Sequence, residues 1–166
     1  MKRIIDELIP YFVIVIVVVL IRTFIATPVI VSGDSMVPTL KNKQLLLLNK
    51  LDYKFNDIRR FDIVVIDVDK KQIIKRVIGL PGETVAYYDN ILYIDGHEVK
   101  NDYNFETDDF RLNNICNCET IPNGKYLVLG DNRKISADSR IMGLIDERDI
   151  LGSVSFSLWP IKKVSK

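Results

Sequence analysis

Two residues in this sequence could form a covalent catalyst together. They are Ser35, within Ser32-Gly33-Asp34-Ser35-Met36-Val37-Pro38-Thr39-Leu40, and Lys75, within Ile73-Ile74-Lys75-Arg76-Val77-Ile78-Gly79. A serine hydroxyl is a weak nucleophile until a base takes its proton and its Oγ is exposed. Ser35 lies in a tight turn where Gly33 lets a second backbone come close and Pro38 keeps Val37 out of the helical region. Turns of that composition are common. Lys75 is embedded in an aliphatic run, and an unperturbed lysine, with a pKa of about 10.4, is no base at neutral pH. Burial disfavours the ammonium and lowers that value, leaving a neutral amine able to accept the serine proton. A strand lysine that only reaches out to water is the competing reading.

A third segment, Gly130-Asp131-Asn132-Arg133-Lys134-Ile135-Ser136-Ala137-Asp138-Ser139-Arg140, follows the apolar Tyr126-Leu127-Val128-Leu129. It reads either as a solvated loop with surface ion pairs of little worth, or as support for a reactive pair. Support would mean a hydroxyl beside the base and an Asp–Arg pair stiffening the strand that carries it.

Other chemistry is excluded. His97 is the one histidine, so a Ser–His–Asp triad must use it or not exist. It follows the Asp95-Gly96 turn, a solvated hairpin position, and receives no catalytic role. No spacing of His97, the cysteines and carboxylates suggests a metal site, and no cofactor is expected. For Cys116 and Cys118 a bridge across one residue would close a tight, strained ring. They read as two thiols of a surface loop or as a redox or metal half-site, and the first is expected because a structural zinc needs four ligands and no second pair exists. Lys plus Arg number 23 against 22 Asp plus Glu, with no basic stripe, which excludes nucleic acid as a partner.

Positioning must come from two kinds of element. An uncharged run from Leu8 to Ile21 falls short of the roughly 20 apolar residues of a membrane span. Counting on past Arg22, which can snorkel, to Ala26 gives a stretch that spans, with Lys2 and Arg3 on the cytoplasmic side. A cleaved signal peptide competes, but Asp6 and Glu7 in the would-be basic region and the lack of an Ala-x-Ala exit favour an anchor. From Pro28 the pattern turns to β. Strands are expected at Gln44–Asn49, Asp62–Val68, Gln72–Gly79, Thr84–Tyr88, Lys125–Gly130 and Ile150–Leu158. Ile91–Val99 reads as a hairpin turned at Asp95-Gly96. Asp102–Asn123, polar and poor in aromatics, reads as a long surface loop or an insertion. No long amphipathic helix is expected after the anchor. The chain divides into an anchor, 1–27, and a mainly β domain, 28–166.

The three segments, in order, resemble the signature boxes of the type I signal peptidase family: Ser-Gly-Asp-Ser-Met-Val-Pro-Thr-Leu, Ile-Lys-Arg-Val-Ile-Gly-Leu-Pro-Gly-Glu and Gly-Asp-Asn-Arg-x-x-Ser-x-Asp-Ser-Arg. A weaker fourth match is Phe61-Asp62-Ile63-Val64-Val65, where the family usually has Gly-Asp. Lysine at 75 and the short domain resemble the Gram-positive bacterial form. The resemblance implies an all-β catalytic domain behind one transmembrane helix, Ser35 as nucleophile and Lys75 as general base. It implies that Ser136 orients the Lys75 amine and that Asp138 pairs with Arg140 and Arg76. The Ser35 backbone N–H would serve the oxyanion, and Gly33 stands where some members add a serine hydroxyl. Val29, Val31, Gly33 and Ile74 would bind substrate in shallow pockets that suit Ala-x-Ala sites. The implied partners are secretory preproteins at the outer face of the cell membrane, membrane lipid and nearby export machinery. Phe156-Ser157-Leu158-Trp159-Pro160 either meets the interface or forms the last core strand. A self-cleaving Ser–Lys repressor, which would need a DNA-binding domain, and an inactive anchored homologue acting as a binding module are the alternatives.

Overall fold

The computed structural model describes residues 2–100 and 105–164. Helix α1 (Lys2–Leu20) runs into a π-helical turn, Ile21–Ile25. The span Glu7–Ile25 has a mean hydropathy of 2.7, and none of it is buried by the rest of the chain. That exposure does not fit a core helix of a soluble domain, and the length and composition suffice to cross a membrane. The turn leads straight into strand β1 (Ala26–Ile30), and the Lys50 amine donates to the carbonyls of Arg22 and Thr23 that the turn leaves free.

The remaining elements are β2 (Leu45–Asn49), α2 (Asp52–Phe55), β3 (Ile63–Val68), β4 (Lys71–Gly79), β5 (Val85–Tyr88), β6 (Ile91–Ile94), β7 (His97–Val99), β8 (Phe110–Arg111), β9 (Lys125–Leu129), α3 (Ser139–Met142), β10 (Ile145–Asp146), β11 (Ile150–Trp159) and β12 (Ile161–Lys163). An antiparallel sheet runs β1-β2-β11-β3-β4-β9-β10, with β12 beside β11, and a second runs β7-β6-β5-β8. The smaller sheet is an excursion between β4 and β9. After α1, the α-helices among the described residues, α2 and α3, are single turns of four residues.

Strand β3 explains the layering. Alternate side chains point to opposite faces, so Ile63 and Val65 join Val31, Met36, Leu40, Leu46, Leu48, Ile74 and Val154 in one core. Val64 and Ile66 join Ile58, Val77, Tyr126 and Val128 in another. A strand buried on both faces reads as an unbroken aliphatic run, as this one does.

Asp95 and Gly96 both have positive φ, as a type I′ turn demands, and His97 is exposed. Phe61, where the resembling family has glycine, holds a φ of +69°, which accounts for the glycine preference. Its ring packs on the core of the smaller sheet.

Two expectations need correction. Of the Asp102–Asn123 segment, residues 102–104 lie outside the described residues. The rest is no mere surface loop: it contains β8 and buries Thr107, Leu112 and Ile121. Cys116 and Cys118 are not free thiols but form a disulfide. The intervening Asn117 leaves their Cα atoms 5.2 Å apart, within bridging range, and both pack against the core of the smaller sheet. Phe156–Trp159 lies in a strand, and Trp159 at its end is exposed.

Candidate active site

Strand β4 places Lys75. Its register partner on β3 is Val64. The Lys75 side chain is only 3% exposed. Its amine donates to Ser35 Oγ at 2.9 Å, so residues 40 positions apart in sequence are joined by one hydrogen bond. Burial pushes the Lys75 pKa below its ordinary 10.5, while the carboxylates of Asp138 and Asp131 pull the other way. Each of those acids already carries an arginine, Asp138 with Arg140 and Asp131 with Arg76, which offsets their pull on the amine. In the neutral state the bond reverses, with the Ser35 hydroxyl donating to the amine lone pair. That is the arrangement a general base requires.

The Ser35 turn is held from two sides. The Gly33 N–H donates to Asn42 Oδ1 at 3.2 Å, with Gly33 at a φ of +87° that favours glycine. The Ser35 carbonyl accepts from the Asn132 N–H at 2.9 Å, which brings the third segment against the first. Gly130 makes this approach possible. A Cβ there would lie 2.5 Å from the Ser35 carbonyl oxygen and would strike the Ser136 hydroxyl. Gly130→Ala is therefore expected to destabilise by about 1–3 kcal/mol and to displace Ser35 from Lys75. Thermal melts and cleavage rates of the purified variant check this.

Asp138 pairs with Arg140 as the resemblance implies, while Arg76 is bonded by Asp131, at 2.8 Å through both Nε and a terminal nitrogen. Both side chains of that pair are fully buried, and Arg76 also donates to the Phe61 carbonyl. Asp138 has no oxygen to spare. It accepts from the Gly130 N–H and from the Arg140 side chain, and caps the first turn of α3 through the Arg140 N–H. Ser136 is buried close to this region, but its hydroxyl has no hydrogen-bond partner among the described residues. The bond to Lys75 that the resemblance implies is not made among the described residues, and the Ser136 side chain lies against Gly130. No cluster of metal-ligating side chains occurs among the described residues.

A cleft of about 350 Å³ opens beside the pair, lined by Pro28, Val29, Ile30, Val31, Ser32, Ser35, Met36, Gln72, Ile73, Ile74 and Lys75. Val29, Val31 and Ile74 are among its lining residues and Gly33 is not. Its two walls are strand edges. Among the described residues, β1 pairs with β2 alone and β4 pairs with β9 from Arg76 onward, which leaves the edge before Lys75 open among those residues. Unpaired edges facing one another can take a further strand between them. A larger cavity on the smaller sheet, lined by Tyr88, Tyr93, Arg111 and Cys118 among others, does not include Ser35 or Lys75.

A family model described as "Signal peptidase, peptidase S26" matches residues 4–159. The chain is 42% identical over 165 residues to a signal peptidase I of Bacillus caldolyticus, covering 93% of this chain and 91% of that one. It is 37% identical over 177 residues to a signal peptidase IB of Staphylococcus aureus strain COL, covering 98% and 93%. The crystal structure of a signal peptidase I from Enterococcus faecalis V583 is similar with a TM-score of 0.55 and 38% identity, over 59% of this chain and 97% of that one.

Proposed function

The chain belongs to the signal peptidase family, peptidase S26, and from that premise we propose that it removes signal peptides from secreted preproteins through an acyl-enzyme on Ser35, with Lys75 as general base. The observation that carries this reading is the 2.9 Å contact between a buried amine and a serine hydroxyl at the mouth of an open-edged cleft. Neutral Lys75 takes the Ser35 proton as Oγ attacks the scissile carbonyl. The ammonium then returns a proton to the leaving amine, and Lys75 next activates the water that releases the acyl group. The Ser35 N–H receives the developing oxyanion.

The substrate lies extended between the edges of β1 and β4, bonded through its backbone. Val29, Val31 and Ile74 then face the side chains before the scissile bond and admit small ones. Residues 1–27 form the cytoplasmic N-terminus and anchor, and 28–166 the catalytic domain on the outer side of the membrane. Ser35 follows Ala26 by nine residues, which keeps the nucleophile near the bilayer surface, where a membrane-embedded signal peptide presents its cleavage site. The implied partners are the preproteins, the lipid around the anchor and the export machinery.

The test uses full-length protein in detergent and a model preprotein with alanine three residues and one residue before the cut. Mass spectrometry should find one cut after the second alanine, strongly reduced when that alanine becomes leucine. It should find none with Ser35→Ala. Equal cleavage by Ser35→Ala refutes the reading.

A further inference from the structure

The Ser35 N–H is unpartnered among the described residues, although the turn around it is tightly bonded. The two cis peptide bonds of the chain lie elsewhere, so the Asp34–Ser35 peptide is trans. In a trans peptide the carbonyl oxygen and the amide hydrogen point in opposite directions within one plane. Whatever holds the Asp34 carbonyl therefore aims the Ser35 N–H. Two donors hold it: the Val37 N–H at 3.2 Å, within the turn, and the Asn132 Nδ2 at 3.2 Å, from the third segment. The Asn132 N–H takes the next carbonyl, that of Ser35, at 2.9 Å. One residue thus grips two successive carbonyls of the nucleophile turn. The neighbouring Gly33 N–H is turned away to Asn42 Oδ1, so it is not available to a substrate oxygen.

We propose that Asn132 is the positioning residue of the oxyanion site: its side-chain amide fixes the Asp34–Ser35 peptide plane so that the Ser35 N–H stands ready for the tetrahedral oxygen. The inference rests on Ser35 acting as the nucleophile. Asn132 itself touches no substrate. It acts through the Asp34 carbonyl, and its hydrogen bond also polarises that peptide, making the opposite N–H a stronger donor. With no hydroxyl at position 33 to share the oxyanion, the orientation of this one N–H weighs more than it would beside a second donor.

Asn132→Ala removes the side-chain grip and leaves the backbone one. Asn132→Asp keeps the size and turn habit but replaces the donor with an acceptor facing a carbonyl, and it carries the test if the alanine variant fails to fold. Full-length variants in detergent are assayed on a fluorogenic signal-peptide substrate. They are also titrated with a peptide aldehyde ending in alanine and with the matching peptide alcohol. Ser35 Oγ adds to the aldehyde carbon and its carbonyl oxygen becomes the tetrahedral oxygen, whereas the alcohol forms no adduct.

The expected result is a kcat lowered on the order of 10- to 100-fold, with KM nearly unchanged and aldehyde affinity falling in step. Affinity for the alcohol should hold. A kcat within about threefold of wild type in a folded variant, or equal losses for aldehyde and alcohol, overturns the assignment. Ser35→Ala run in parallel separates the two ideas. Inactive Ser35→Ala beside fully active Asn132 variants removes the clamp alone, while active Ser35→Ala removes the nucleophile assignment.

Discussion

Replacing Lys75 with methionine is expected to abolish cleavage and at the same time to raise the stability of the fold. Methionine is unbranched, of comparable length and apolar, so it fits a site where the lysine side chain is only 3% exposed. Without the amine nothing takes the Ser35 proton, and the loss expected is roughly ten-thousand-fold or more. The stability gain follows from linkage. Burial holds the native Lys75 pKa below its ordinary 10.5, so the unfolded chain binds a proton more readily than the native one. The lysine is most destabilising below its native pKa, where the folded protein must either bury an ammonium or give up its proton. The penalty fades as pH rises towards 10.5. Thermal melts of wild type and Lys75→Met at mildly acidic and at alkaline pH test this. The advantage of methionine should be larger at the acidic pH, and a variant that melts below wild type at both contradicts it.

Asp131→Ala is expected to cost about 3–5 kcal/mol of stability, because it leaves a buried guanidinium without its counter-ion. Arg76 and Asp131 are both fully buried, joined by two hydrogen bonds of 2.8 Å. Arg76 also donates to the Phe61 carbonyl and, at 3.5 Å, to the Thr39 hydroxyl, and neither of these carries a charge to balance the guanidinium. Asp138→Ala offers a contrast. Its partner Arg140 is 18% exposed and can turn to water, so the ion-pair loss is smaller, though the cap on α3 and the bond to the Gly130 N–H go as well. Replacing Arg76 and Asp131 together by methionine and leucine should recover much of the loss, since an apolar pair can substitute for a buried ionic one. Urea unfolding measures all of these. A cost under about 1 kcal/mol for Asp131→Ala would mean that the guanidinium finds another partner.

Much of this architecture can be read from the residues. The aliphatic run of Ile63–Ile66, the Asp95-Gly96 turn and the short β-prone run of Thr84–Tyr88 place β3, the β6–β7 hairpin and β5 within a residue or two of where they lie. Short edges are less legible. β1 begins at Ala26, directly on the end of an apolar helix, and has no turn signal before it. β8, β10 and β12 have two or three residues each, too few to display a period.

The Ser35 and Lys75 positions stand out because their flanking residues are distinctive, and the structure brings them into contact. Pairings are harder. Asp131 and Asp138 sit seven positions apart in the same loop, and no local pattern says which one Arg76 meets. The answer depends on β9 pairing with β4 at Arg76–Leu129, a long-range register. Ring size alone argues against the Cys116–Cys118 bridge, whereas the local backbone bend, with the Cys118 N–H bonded to the Cys116 carbonyl, permits it. Asn132 left no trace beyond its place in a polar loop, since its importance lies in backbone carbonyls that sequence does not display.

The rate of Ser35 acylation as a function of pH, measured in single turnovers of full-length protein, bears most directly on the pairing of nucleophile and base. A protonated Lys75 cannot accept a proton, so the rate should rise with pH along a single ionisation and then level off. Because burial disfavours the ammonium, the midpoint should fall clearly below the ordinary lysine value of 10.5. A rate independent of pH, or a midpoint at or above that ordinary value, would contradict a buried neutral amine as the base.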